Sequence, residues 1–280
     1  MNSPSRAETD PSGPVVRLAD TVDASQLDLG DLSDIFNPFM RHFVEVARRG
    51  TGEVWVSQRN RRVDGILLYN RTEKVGSIFT RDPNVAEQLY GLKDGVSVFS
   101  DFPLGAKSDT YQVYAANLIL GPGPHRFRHV VRIARGHEQA EVSRMLNEMY
   151  GPIDTGWLSG ASPPGETCFV VDVGGRLVGA GWVTIVGDQG RLHSLSVRPH
   201  YRRAGIGTDL WHARTEWAAR RGVRRVISEI WEQNVPSIAI AKAGGMEPVG
   251  RIFLSHRPGP PLGSGDRRPA VGTDLVGHVD

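Results

Sequence analysis

A chain of 280 residues is about twice the length of a typical domain, so two domains are expected. Its 39% hydrophobic and 23% charged residues are typical of a globular protein, and no apolar run approaches the roughly 18 residues that a membrane span requires. With 33 basic against 31 acidic side chains, the chain as a whole lacks the charge of a nucleic-acid-binding protein. The polar segment 1–14 has no apolar secretion signal, and a single cysteine cannot form an internal disulfide, so we expect a cytoplasmic protein.

The first half of the sequence predicts one helix followed by three strands. Apolar residues recur at helical spacing from Met40 to Ala47, and Arg49-Gly50 ends that pattern. Strand-like segments follow at 53–58, 65–70 and 75–80, with short polar turns between them. The order indicates a helix and an antiparallel meander.

The second half repeats this order. Apolar residues between Val142 and Met149 predict a helix, and strands are expected at 168–173, 176–186 and 191–197. Gly174-Gly175 is a two-residue hairpin signal between the first two of these strands. The repetition favours an internal duplication, although a helix followed by a meander is also a common arrangement.

The sequence therefore predicts an α+β fold with two tandem domains, each a mostly antiparallel mixed sheet flanked by helices. The domains are placed at 15–120 and 126–256, on either side of a Gly-Pro-Gly-Pro linker at 121–125. Disordered tails are expected at 1–14 and 257–280. Proline and glycine accumulate from Ser255 onward, so neither a helix nor a strand is expected after that residue.

The two halves differ after their third strand, because only the second continues into a glycine-rich turn. Pro199 ends the strand at Val197, and Gly205 and Gly207 then open an amphipathic helix. Such a turn presents unpaired backbone N–H groups and the positive end of the helix dipole, which suits a phosphate. Eight arginines but only two acids lie between Arg198 and Arg225, so this segment is basic within an otherwise acidic chain. An anion site is one explanation and a solvated helix face is the other.

The turn reads Arg202-Arg203-Ala204-Gly205-Ile206-Gly207, which lacks the Gly-Lys-Ser/Thr of a P-loop and the third glycine of a dinucleotide site. It does match Arg/Gln-x-x-Gly-x-Gly/Ala. A strand with the sequence Leu-His-Ser-Leu-Ser-Val precedes it, and an Asn-x-x-Ser segment at Asn234 follows after the next predicted strand at 225–231. Over residues 127–254 the chain thus resembles the GNAT superfamily of acyl-CoA-dependent N-acyltransferases.

The resemblance implies a site for acetyl-CoA or another acyl-CoA, with no metal ion. The backbone amides of Leu195 and Val197 would hold the pantetheine arm and the acyl carbonyl, and Asn234 would contact that arm or simply cap its helix. The pyrophosphate would lie on the backbone amides of Arg202, Arg203, Ala204, Gly205, Ile206, Gly207 and Thr208. The first half has no such turn, so no second cofactor site is expected there.

Acyl transfer to an amine requires a base, because an alkyl amine with a pKa of about 10.4 is mostly protonated at neutral pH. Strand alternation predicts that His193 lies on the same face as Leu195 and Val197, and some family members, such as arylalkylamine acetyltransferases, are similar in having histidine there. A structural histidine is the alternative. Glu229 and Glu232 compete for the role of base, or are surface carboxylates paired with arginines.

The family often uses a tyrosine to protonate the leaving thiolate, and Ala241 occupies that place here. Ser237, Tyr201 or water could replace it, or the thiolate could leave unaided. Cys168 is interpreted as a buried core residue and Trp231 as a core residue that could also contact substrate.

The resemblance thus implies an enzyme that transfers an acetyl or other acyl group to a primary amine of a small molecule or peptide by direct attack. Two alternatives stay open: an aminoacyl transferase of the same fold that uses charged tRNA, and a non-catalytic acyl-CoA-binding module. We expect no membrane association and a monomer or homodimer. The acceptor would contact the loop 150–165 and its neighbour Glu166, together with the first half of the chain.

Overall fold

The computed structural model describes residues 15–19, 52–59, 62–70, 75–118, 123–150 and 166–258. The first half of the chain contains β1 (Val15–Ala19), β2 (Gly52–Arg59), β3 (Arg62–Asn70), β4 (Val75–Thr80), α1 (Pro83–Tyr90), β5 (Val96–Ser100) and β6 (Ser108–Asn117). The second half contains β7 (Val131–Ile133), α2 (Gln139–Tyr150), β8 (Glu166–Val173), β9 (Arg176–Val186), β10 (Gln189–Val197), α3 (Ile206–Ala219), β11 (Arg225–Trp231), α4 (Val235–Ala243) and β12 (Glu247–Arg257).

Within these residues, twelve strands form one sheet in the order β1-β2-β3-β4-β5-β12-β6-β11-β10-β9-β8-β7. Only two neighbouring pairs are parallel, β4 with β5 and β10 with β11, and each is paired over just three residues. From either edge inward, the strands of the two halves follow one another in the same order. The last strand of each half is exchanged, since β12 pairs with β5 and β6 pairs with β11. The expected mixed, mostly antiparallel sheet is confirmed, and its symmetry supports a duplication. The domain boundaries remain predictions.

Helices cover both faces of this sheet. The α3 face is packed by α3 and α4 over a core that includes Leu192, Ile206, Leu210, Trp211 and Ala241. The opposite α2 face is packed by α2 over a core that includes Val142, Met145, Leu146, Ala180 and Trp182. The apolar stripe predicted for α2 therefore points into a core, as its spacing indicated. In the first half, α1 covers the sheet with Val85, Ala86 and Leu89 fully buried.

Three predicted strands, 75–80, 176–186 and 225–231, coincide with β4, β9 and β11. The prediction that no strand forms after Ser255 is wrong, because β12 continues to Arg257 and pairs Ser255 with Val98 and Arg257 with Val96. After Ser255 the next proline is Pro258, so Ser255, His256 and Arg257 keep their backbone N–H groups and can pair in the sheet. The predicted helix at 40–47, the loop 151–165 and the tail beyond residue 258 lie outside the described residues.

Candidate active site

The two central strands of the second half separate along their length. β10 and β11 pair only between Gln189–Arg191 and Arg225–Ile227, so the later residues of β10 present an open edge toward β11. The amide of Arg198 donates to the carbonyl of Val178 in β9 at 2.8 Å. Since successive N–H groups of a strand point to opposite edges, the amide of Val197 points to the open edge, where the sequence analysis placed the pantetheine arm.

A bulge interrupts β10 at the same level. Its register with β9 jumps from the pair His193–Trp182 to the pair Ser196–Ala180, and Ser194 adopts a left-handed φ of 53°. The extra residue reverses the alternation of side chains. His193 therefore lies on the α2 face beside Trp182, whereas Leu195 and Val197 pack against the core of the α3 face. The prediction that these three side chains share one face is wrong, because alternation fails across a bulge.

The imidazole of His193 is held from two sides. Its Nε2 lies 3.0 Å from Thr184 Oγ1 and 3.4 Å from Glu166 Oε1, and its Nδ1 lies 3.2 Å from Ser194 Oγ. Burial lowers the pKa of His193 below 6.5, an effect that Glu166 only partly offsets. The ring is thus neutral at pH 7 and has a lone pair available. The sequence analysis associated Glu166 only with acceptor contacts, but β8 places its carboxylate beside His193, opposite Thr184 in the ladder.

The two competing carboxylates are both paired. Arg191 Nε donates to both carboxylate oxygens of Glu229, at 2.8 and 3.1 Å, and the Glu229 side chain is only 5% exposed. The guanidinium of Arg191 thus engages both oxygens of the Glu229 carboxylate. Glu232 lies at the surface with Arg251 Nε at 3.2 Å, which agrees with the surface-pair alternative.

The glycine-rich turn has the geometry of an anion cradle. Arg203 and Gly205 have positive φ values of 63° and 92°, and Gly205 is the N-cap of α3. The side chains of Arg203 and Ala204 are exposed, and the Arg202 guanidinium bonds the carbonyl of Val197 at 3.2 Å. Glycine at position 207 serves a different purpose, because a Cβ there would lie 2.8 Å from Ile240 Cδ1 of α4. It permits helix packing rather than phosphate approach.

An anchoring cluster that the sequence analysis missed lies beside this turn. Asp209, 1% exposed in α3, accepts hydrogen bonds from His125 Nε2 at 2.7 Å, His129 Nδ1 at 2.8 Å and the amides of Arg128 and His129. Burial alone would raise the pKa of Asp209, but these donors outweigh it and lower the pKa. The cluster fixes the segment before β7 against α3 and brings the Arg128 side chain over Gly205. In the sequence, the only sign of this cluster is the close spacing of His125 and His129.

The other predicted site residues have mainly structural contacts. The Asn234 side chain accepts the Ser237 amide at 3.2 Å and caps α4, and Tyr201 packs against the core of the α3 face. Ala241 is 2% exposed within that core. Burial raises the pKa of Cys168 to about 12, as expected for a core thiol. Trp231 packs against the core of the first half, which includes Val54 and Ile66.

Comparison with known proteins gives the class of this site. Residues 135–245 match the family model of the acetyltransferase (GNAT) family. The chain is 26% identical over 87 residues to YobR, an uncharacterized N-acetyltransferase of Bacillus subtilis (strain 168). This match covers 31% of this chain and 35% of YobR. It is 28% identical over 81 residues to a protein of the same strain named for alanine N-acetylation of ribosomal protein bS18, covering 29% of this chain and 54% of that one. The chain thus spans about a third to a half of the length of the curated relatives it matches.

A solved tandem GNAT protein from the clavulanic acid biosynthesis pathway has the same fold, with a TM-score of 0.60 at 15% identity, covering 87% of this chain and 98% of that one. Residues 135–245 of the second half therefore match the GNAT acetyltransferase family, a family of acyltransferases. Across the ranges that the structure describes, no helix is long and apolar enough to cross a bilayer. In the same ranges, no three His, Cys, Asp or Glu side chains converge as a metal site would require.

Proposed function

We propose that the protein is an N-acyltransferase that moves an acetyl or other acyl group from acyl-CoA to a primary amine of a small molecule or peptide. The observation that carries the proposal is the alignment of three features along β10: an open strand edge, an anion cradle at its end, and a neutral imidazole at its bulge. The name of one relative assigns it a ribosomal protein as acceptor, which keeps peptide amines within the proposal.

The residues of the chain fit acyl-CoA as donor. The Val197 amide points to the open edge, and Leu195 lies in the bulge without a partner in the β9 register, so both could pair with an extended, amide-bearing arm. The first amides of α3 and the exposed Arg203 suit a pyrophosphate, and the positive φ of Gly205 shapes the turn that presents them. A thioester held there supplies an acyl group that is already activated toward an amine.

His193 would act as the general base. Its Nδ1–H can donate to the Ser194 hydroxyl, which leaves the lone pair of Nε2, on the side of Glu166 and Thr184, to accept the proton of the attacking amine. Glu166 lies beside that nitrogen and would stabilise the imidazolium that forms, so it acts as a positioning residue. Because Ala241 has no proton to donate, the thiolate would leave without a tyrosine acid and take its proton from solvent.

The first half of the chain would form part of the acceptor cleft. A cavity is lined by Phe79, Phe99 and Asp101 of the first half and by Arg191 and Glu229 of the second. β4 and β10 are five positions apart in the sheet order, so the sheet must curve for their side chains to share one cavity. This gives the half without a glycine turn a role in selecting the acceptor.

The test is to incubate the protein with labelled acetyl-CoA and a panel of amines, and in parallel with labelled aminoacyl-tRNA. The proposal predicts amine-dependent transfer from acetyl-CoA and a loss of about 10²-fold or more in kcat on His193→Gln. Transfer from the aminoacyl-tRNA instead would contradict it, as would acetyl-CoA binding without turnover on any amine. Cytoplasmic location and a monomeric or homodimeric state remain predictions.

A further inference from the structure

A second cavity lies on the α2 face, between the start of α2 and the start of β8. Its volume is about 160 Å³, close to the roughly 150 Å³ of an engineered cavity that holds benzene. Among the described residues its lining is apolar at Ile133, Ala134, Val142, Cys168 and Trp182 and polar at Gln139, Glu166 and Thr167. Glu166 is the one charged side chain among the described residues that line it. We name it the β8 cavity.

The β8 cavity adjoins the proposed base. Glu166 Oε1, in the cavity wall, is 3.4 Å from His193 Nε2, and Trp182 is the direct neighbour of both Cys168 and His193 across the sheet. One carboxylate therefore faces the cavity and the imidazole together. A cation that enters the cavity meets Glu166 and is then within a short distance of the base.

From this arrangement we infer that the β8 cavity is the subsite for the apolar part of the acceptor, in addition to the part of the cleft that the first half would form, and that the acceptor is a monoamine with one compact, uncharged apolar group of about the size of a benzene ring. The inference rests on the proposed function, since it names the substrate class of that site. The apolar group would displace water from the walls of Ala134, Val142 and Trp182, and the ammonium would pair with Glu166 before His193 accepts its proton.

The same wall disfavours other amines. A diamine or a lysine side chain with its polar backbone would bring a second charge or polar group against the apolar residues of the wall and away from water, which is costly. A very small amine would leave the cavity unfilled and gain little from it. Specificity would thus depend on how well the apolar group of the acceptor fills the β8 cavity as well as on the charge of Glu166.

The test compares kcat/KM for benzylamine and 3-methylbutylamine with that for 1,4-diaminobutane and lysine amide. We expect kcat/KM to be about tenfold or more higher for the first pair, mainly through a lower KM, because filling an apolar pocket changes affinity by about this much. Ala134→Leu should raise the KM for benzylamine by about tenfold and leave that for ethylamine within about twofold. Ala140→Leu adds the same groups on the exposed side of α2 and is the matched control. Cys168→Met fills the cavity from the opposite wall, should Ala134→Leu fail to fold.

Equal kcat/KM for the four amines, or folded filling variants with an unchanged KM for benzylamine, would overturn the inference. Calorimetric titration with benzylamine separates it from the proposed function. Binding that Ala134→Leu abolishes supports the β8 cavity as an amine site even if no acyl transfer is found. The absence of benzylamine binding to an active wild-type enzyme would overturn the subsite alone.

Discussion

Arg214 Nη1, from helix α3, donates a 3.3 Å hydrogen bond to the carbonyl oxygen of His193 at the bulge of β10. The same nitrogen donates to the carbonyl of Trp182 at 2.9 Å, and Nε donates to that of Leu210 at 3.0 Å. The guanidinium is fully buried, which lowers the pKa of Arg214 to about 10, still well above neutrality. The helix that begins at the anion cradle is thereby connected to the backbone of the proposed base.

Replacing this arginine should cost both stability and catalysis. Arg214→Met removes the guanidinium hydrogen bonds to the carbonyls of Trp182, His193 and Leu210, so we expect the free energy of unfolding to fall by about 2–4 kcal/mol. Urea denaturation measures this. Arg214→Lys should recover only part of the loss, because an ammonium cannot reproduce the planar fork. Full recovery by lysine would contradict the assigned geometry.

Gly181 makes room for that guanidinium. A Cβ at Gly181 would lie 3.1–3.2 Å from three of its atoms, so Gly181→Ala should displace Arg214 and destabilise the protein by about 1–3 kcal/mol. Gly136→Ala is the control, since a Cβ there has no neighbour within 4 Å. Equal stability of the two alanine variants would show that Arg214 moves freely.

The pH profile of kcat should carry the signature of His193. Because burial lowers the pKa of this imidazole below 6.5, its neutral, basic form predominates at pH 6.5 and above. We therefore expect kcat to be level near neutrality and to fall on acidification below pH 6.5. Glu166→Gln removes a group that raises the pKa of His193, so the acid limb should move to lower pH while kcat falls. A limb that stays in place in His193→Gln would exclude this histidine as the base.

Asp209 should make the anchoring cluster sensitive to acid. Its pKa is lower in the folded than in the unfolded chain, so its ionised form stabilises the fold above the ordinary pKa near 3.8, and this contribution is lost as pH falls through the folded value. Asp209→Asn should lower the free energy of unfolding at pH 7 by about 2–4 kcal/mol and reduce the further loss of stability as the pH falls below about 4. Stability measured against pH by urea denaturation checks both.

The fold was largely accessible from the sequence because its elements follow local rules. The stripe of α2, the strands β4, β9 and β11, and the turn at Gly174-Gly175 all follow from periodicity and turn chemistry. The exchange of β6 and β12 between the halves was not accessible, since strand order at the centre of the sheet depends on contacts far apart in the chain.

The candidate site residues were chosen from residue types and spacing, but the face on which His193 lies was predicted wrongly. His193 and the glycine turn were recognisable from their types and spacing. The bulge was not, because the left-handed residue that forms it is Ser194 rather than a glycine. The Arg191–Glu229 pair, the approach of Glu166 to His193 and the contacts of Arg214 arise from strand register and helix packing, which no local pattern encodes.

The central claim, that an acyl-CoA lies along β10 with its pyrophosphate on the turn at Gly205, is tested most directly by calorimetric titration of acetyl-CoA. Wild-type protein should bind, and Gly205→Glu should weaken binding by about 10²-fold or more, because it places a carboxylate where a phosphate would lie. Gly222→Glu is the matched control, since Gly222 also has a positive φ, of 80°, and no neighbour within 4 Å of its Cβ position. It should bind like wild type. Equal affinity of Gly205→Glu and wild type, with both proteins folded, would contradict the account.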